Sequence, residues 1–160
     1  LCLLACLNSH ALDYAARQKM AGTHLTFGYL NQLPVLPPPV FSSVTTWSSG
    51  ETLAEWLIPR TLELVFTSQE LKPLARDCGY GGPPFAWEEE RRLRLRCELD
   101  AAFFHLYGIN RDDVGYIMDT FHVVRQKDEA RWGEYRTKRV VLELHQQLGS
   151  GAGNSGRECI

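Results

Sequence analysis

The chain lacks most of the patterns that mark a catalytic or metal centre. None of its five cysteines, Cys2, Cys6, Cys78, Cys97 and Cys159, forms a CxxC pair. Cys2 and Cys6 would share a helix face, but no second ligand pair sits near them, so the spacing of a zinc site is missing. What remains is a set of reduced, mostly buried thiols, as expected of a cytoplasmic protein. The five histidines, His10, His24, His105, His122 and His145, include no HxH or HExxH. No serine sits in GxSxG, which removes the support for a hydrolase triad. GxxxxGK and GxGxxG are also absent, so no phosphate-cradling loop is present. An excess of one charge is missing as well: 17 Lys and Arg face 19 Asp and Glu, a formal net charge of −2. Any nucleic-acid contact must therefore come from a local patch rather than a global field. The opening "LCLLACLNSHALDYAARQKM" has no basic start, and Asn8, Ser9 and His10 break its apolar run. Neither a signal peptide nor a membrane span is expected.

What is there belongs to a folded protein. The 160 residues are 44% hydrophobic and 22% charged, with four Trp, six Tyr and seven Phe. That is enough for one domain with a core or for two small lobes, and too apolar for general disorder. The chain opens on Leu1 rather than Met, which leads us to expect a piece of a longer protein.

Apolar spacing predicts a mainly α protein. Residues 1–20 read as one helix through Leu4, Leu7, Ala11, Leu12, Ala15 and Ala16, with Gly22 as its stop. Residues 25–33 read as a short helix or an apolar hook, and Pro34 to Pro39 as an extended polyproline-like path. "SSVTTWSSG" at 42–50 reads as polar loop. Residues 51–66 read as a helix, kinked or broken at Pro59. "TSQE" at 67–70 is a capping-box pattern for a helix to about Cys78. The clearest helix is 87–107, with Leu95, Leu99, Ala102, Phe103 and Leu106 as its buried stripe. Its pairs Glu88–Arg92 and Glu90–Arg94 would each contribute about 0.3 kcal/mol. "NRDD" at 110–113 caps a short helix through Met118, and a last helix covers about 128–147. Only "TFHVVR" at 120–125 looks strand-like, and no internal repeat is found. The fold class is thus a helical domain with a proline-rich extended connection and at most a minor strand. Residues 1–41 and 42–148 form its two regions, and 149–160 a glycine-rich, disordered tail.

Two features bear on chemistry. Gly82-Pro83-Pro84-Phe85 has the outline of the polar-Pro-Pro-aromatic tetrapeptide of amino-group methyltransferases. Gly82, however, offers no side-chain acceptor, no cofactor-binding strand precedes it, and it reads as loop. Between Arg125 and Arg139, six cations face three anions, with Trp132 and Tyr135 interleaved. Such a run can grip a nucleic-acid backbone, or it can be a solvated helix face with internal pairs such as Glu134–Lys138. "EEERR" at 88–92 reads as a solvated face, and His105 as a satisfied core or boundary histidine.

The stretch "LNSHALDYAARQKMAGTHLTFGYLNQLPVLPPP" resembles an element of restriction–modification proteins. It is similar to the helix, turn and Leu-Pro-x-x-Pro-Pro exit of type I specificity subunits. It is closer to the C-terminal regions of large adenine-specific DNA methyltransferases, including type IIG restriction enzymes. The matching parts are Leu7-Asn8-Ser9, Gly22-Thr23-His24, Leu25 to Leu33 and Pro34 to Pro39. "PLARDCGYGGPPFAWEEERRLRLRCELDAAFFHLYGINRDDVGYIMDTF" and "DEARWGEYRTKRVVLEL" resemble the same C-terminal regions, so the likeness covers roughly 3–148. It implies a noncatalytic C-terminal region that supports target recognition and duplex binding. The implied partners are double-stranded DNA and an N-terminal methyltransferase domain, with no membrane. No cofactor is implied within these residues; S-adenosylmethionine would belong to the N-terminal part.

Two readings of the segment stand side by side in that setting: a turn that only links two packed elements, and a turn that contacts DNA. Thr23 and His24 would project from a turn beside Arg17 and Lys19 and donate to phosphate oxygens. Gly22 would supply the backbone freedom for the turn. Leu25, Phe27, Tyr29 and Leu33 would dock it on the helical body. Lys138 and Arg139 are the further candidate DNA contacts. The alternative is a helical protein–protein interaction module that docks through Phe103, Phe104 and Tyr107.

Overall fold

Cys97 to Phe104 are buried almost without interruption, which only a helix surrounded on several sides can achieve. This helix organises the molecule. The structure is a computed structural model that describes residues 1–20, 22 and 24–151. Among them are α1 (Cys2–Leu7), α2 (His10–Lys19), α3 (Phe27–Leu30), α4 (Leu53–Val65) and α5 (Lys72–Asp77). The central helix is α6 (Glu89–Leu106), followed by α7 (Arg111–Asp119), α8 (His122–Trp132) and α9 (Arg136–Gly151). Two short 3-10 turns cover Pro38–Ser42 and Gln69–Leu71. No strand occurs among the described residues, only an isolated bridge between Val44 and Thr52. The mainly α expectation is met.

Helix α9 packs along α6, with α7 and α8 against α9, while α2 and α4 cover other sides of α6 and α1 lies on α4. Phe103, Phe104, Leu95, Leu57, Met118 and Val141 form the centre of the core. A smaller apolar cluster of Leu62, Phe66 and Ala75 sits under Tyr80 and Phe85. Tyr80 also donates to the Pro83 carbonyl at 3.2 Å, so Gly82-Pro83-Pro84-Phe85 is a structural loop.

Several boundaries differ from the sequence reading, each for a local reason. The first twenty residues form two helices, because the Ser9 hydroxyl accepts from Leu12 N at 3.3 Å and starts α2 anew. The expected helix 128–147 is also two, divided by Gly133 at φ 73, a left-handed cap that glycine tolerates. "TFHVVR" is the start of α8: Phe121 anchors the turn in the core, and Val123 faces solvent. The capping box forms at Thr52 and Glu55 on α4, not at "TSQE", where Ser68 precedes a 3-10 turn without a side-chain cap. Helix α4 runs unbroken through Pro59. The proline segment is extended only to Pro37 and then turns into the 3-10 stretch. Tyr107 donates to the Pro34 carbonyl at 2.7 Å and fastens this strap to α6. The glycine-rich tail contributes Gly149 to Gly151 to α9; the rest, 152–160, lies outside the described residues.

Candidate functional site

Two places concentrate exposed or unsatisfied chemistry: the hook after α2, and a cleft between α1, α4, α6 and α8.

The hook begins where α2 ends at Lys19. Arg17 is held by Asp13, with contacts of 2.9 and 3.0 Å, and its guanidinium lies 4.7 Å from the Phe121 ring centre. The Asp13 hydrogen bond raises the Arg17 pKa further. Lys19 is exposed and makes no ion pair among the described residues. His24 is exposed, and Thr23 lies outside the described residues. A Cβ on Gly22 would meet nothing within 4 Å, so close packing does not require glycine there. Thr26 caps α3 by accepting from Tyr29 N at 3.4 Å, and Gln32 donates to the Gly28 carbonyl at 2.9 Å. The hook is therefore a closed turn of helix. Leu33 packs on the core, but Leu25 and Phe27 do not dock: they are 53% and 81% exposed. The expected inward packing of these two side chains is corrected.

The basic run from Arg125 to Arg139 is largely neutralised by acids close by. Arg125 pairs with Glu129 at 2.7 Å, Arg131 with Glu89, and Arg136 with Glu90 at 2.9 Å. Lys138 contacts Asp119 at 2.6 Å, and Arg139 bridges Glu134 and Glu143 at 2.9 Å each. Hydrogen bonds to Glu134 and then Glu143 push the Arg139 pKa upward. The expected Glu134–Lys138, Glu88–Arg92 and Glu90–Arg94 pairs are not the ones formed. "EEERR" instead meets neighbouring helices through Glu89, Glu90 and Arg91, the last on Glu63 at 2.8 Å.

The aromatic docking surface expected of an interaction module is absent from its predicted place. Phe103 and Phe104 are fully buried, and the Tyr107 hydroxyl is occupied by Pro34 and Cys6. His105 is a satisfied boundary histidine: its Nε2 bonds the His145 carbonyl at 2.6 Å, and the two rings stack at 3.9 Å. The His145 Nε2 bonds the Ile109 carbonyl at 3.0 Å. Burial first and the His105 ring second lower the His145 pKa.

The cleft has a volume of about 520 Å³. Leu4, Leu64, Leu93, Val124 and Trp132 give it apolar walls. Its two acids are already engaged. Asp100 accepts from His10 N at 2.7 Å and contacts His10 Nδ1 at 2.7 Å. Asp128 accepts from Thr137 N at 2.6 Å and so caps the start of α9. Burial opposes a charge on His10, but the Asp100 carboxylate outweighs it, and the His10 pKa is raised. The cations of the cleft, Arg92, Arg96 and Lys127, make no ion pair among the described residues. Arg92 Nε and Nη1 are shielded from solvent with no acceptor, and its guanidinium lies 3.7 Å from the Trp87 ring centre. The sequence reading places Lys127 in the basic run and Arg92 in a pair with Glu88, and makes none of the three a site residue. For Arg92 and Arg96 the signal is the Arg-x-x-x-Arg spacing inside "ERRLRLR", which puts like charges on one helix face.

Among the described residues, no group of three or more His, Cys, Asp or Glu is placed to hold a metal ion, and no helix is long and apolar enough to cross a membrane. Comparisons with protein-family models, curated proteins and solved structures found no significant match.

Proposed function

We propose that this chain is a noncatalytic C-terminal region of a restriction–modification DNA adenine methyltransferase, where it supports target recognition and holds the duplex. S-adenosylmethionine and the extruded adenine belong to the methyltransferase domain of the parent enzyme, which is the partner this region packs against. The observation that carries the reading is the hook: an exposed Lys19 followed by exposed His24, Leu25 and Phe27 on a capped turn. A cation beside exposed apolar side chains suits a nucleic-acid backbone, with the charge on phosphate and the rings against sugar and base faces. Lys19, Thr23 and His24 are the primary contacts, with Arg17 supporting them from its pair with Asp13. Lys138 and Arg139 rank lower, because each would first have to leave a carboxylate.

The test is a salt titration of binding to a random-sequence duplex. Binding should fall steeply with salt, and Lys19→Ala should weaken it for all sequences and reduce the log–log salt slope by about 1. Affinity and slope unchanged in Lys19→Ala would remove the hook from the interface. A second reading, docking onto another protein domain, is favoured by the exposed Leu3, Leu4 and Leu7 of α1 rather than by the α6 aromatics. It predicts partner binding that salt leaves unchanged.

A further inference from the structure

Most arginines packed on or around α6 have acceptors. Arg60 and Arg94 share Glu98, Arg91 has Glu63, and Arg131 and Arg136 have Glu89 and Glu90. Arg92 and Arg96 are the exceptions on α6. They lie one turn apart, where like charges repel. The Nε and Nη1 of Arg92 are hidden from water without an acceptor, which costs free energy, and an anion beside the guanidinium would offset part of that cost through its charge. Lys127 reaches the same cleft from α8.

The cleft's own acids cannot fill this role. The Asp100 carboxylate is bound by the His10 main chain and ring, and that of Asp128 by the start of α9. Three cations against two carboxylates leave an excess of positive charge, and donors from three side chains match the three terminal oxygens of a phosphate monoester better than the two of a monocarboxylate. The remaining walls are mainly leucine, valine and the Trp132 ring, with Asn8, Ser9, Thr61 and Thr137 among them, and the apolar part accepts an apolar or flat body that a hydrated inorganic ion lacks. The volume, about 520 Å³, is in the range of small-molecule sites.

The geometry points to a binding site for a phosphate monoester with an apolar or aromatic body, its phosphate on Arg92, Arg96 and Lys127 and its body against Leu64, Leu93 and Trp132. This site is separate from the hook and does not depend on the duplex-binding reading.

The experiment titrates the 160-residue protein with phenyl phosphate, inorganic phosphate and benzyl alcohol and follows tryptophan fluorescence. Trp132 lines the cleft and Trp87 stacks on Arg92, so occupancy is read directly. Phenyl phosphate should bind saturably, with inorganic phosphate at least about tenfold weaker and benzyl alcohol without effect, because charge and body are both needed. Arg96→Gln should weaken phenyl phosphate about tenfold, and Lys127→Gln less. Both side chains are exposed and make no ion pair among the described residues, so the variants should fold as the parent does, which circular dichroism checks. No saturable binding by the parent protein would overturn the site, as would equal binding by both variants. Duplex DNA that displaces phenyl phosphate and is itself weakened by Arg96→Gln would also overturn it, by making these cations part of a duplex-binding surface.

Discussion

The two groups of cations in this molecule have nearly the same composition and opposite surroundings. The α8–α9 belt, Arg125, Arg131, Arg136, Lys138 and Arg139, meets carboxylates at every position. The cleft group, Arg92, Arg96 and Lys127, meets apolar walls and acids that are already engaged. Charge counted along the sequence points to the belt. Charge counted after subtracting partners points to the cleft. What a cation can recruit depends on what already neutralises it, not on how many cations flank it.

The contrast breaks most severely if the engaged acids are removed. Asp128 is buried, and its carboxylate fixes the first turn of α9. Asp128→Ala should cost about 2 kcal/mol, the usual scale for a buried charge-assisted hydrogen bond. For a chain of this size that lowers the melting temperature by roughly 4–8 °C. Asp128→Asn keeps an acceptor and should lose about half as much. A melting temperature unchanged in Asp128→Ala would mean that α9 is capped by other means and that Asp128 is available to pair with Lys127.

The same division holds for two histidines, with opposite signs in pH. His10 faces Asp100 and Asp13 with Arg17 nearby, and its pKa is raised. Its contribution to stability is complete below about 6.5, the ordinary histidine value, and is lost as pH rises through the raised folded value. His145 faces His105 and Arg111, and its pKa is lowered. Its contribution is complete above about 6.5 and is lost as pH falls through the lowered folded value. Together they place a stability maximum near pH 6.5, to be read from urea midpoints across pH 5 to about 8. His10→Gln should flatten the alkaline side, and His145→Gln the acid side. If His10→Gln leaves the alkaline slope intact, Asp100 does not act through the His10 charge.

These effects also show what the sequence made legible. Helix α6, its buried stripe and the Asn110 cap of α7 follow from apolar period and cap chemistry within a few residues of each other. The splits at Ser9 and Gly133 were also visible as residues, but apolar spacing runs across both and masks them. Pairing was not legible. Glu89–Arg131 and Glu90–Arg136 join residues over forty positions apart, so only the α6–α8–α9 packing decides that the belt is neutral. Leu25 and Phe27 were misplaced because hydrophobicity says that a side chain can be buried, not that a partner surface waits for it. The unpaired arginines escaped for the converse reason: within "ERRLRLR" every cation has an acid in reach on paper.

The smallest effect separates belt and cleft most directly. In the belt, Arg136→Gln removes the partner of Glu90 and should lower stability slightly. In the cleft, Arg96→Gln removes a like charge one turn from Arg92 and breaks no pair. It should leave stability unchanged or raise it by about 0.3 kcal/mol. Added salt should shrink both differences, since exposed charges are screened within about 10 Å at 0.1 M. Urea unfolding of the two variants and the parent, at low and high salt and without phosphate, measures both signs. Opposite signs at low salt that converge at high salt are the expected outcome. If Arg96→Gln is as destabilising as Arg136→Gln, then Arg96 has a structural partner after all. The cleft would then hold no spare charge for a ligand, and the difference between the two groups of cations would disappear.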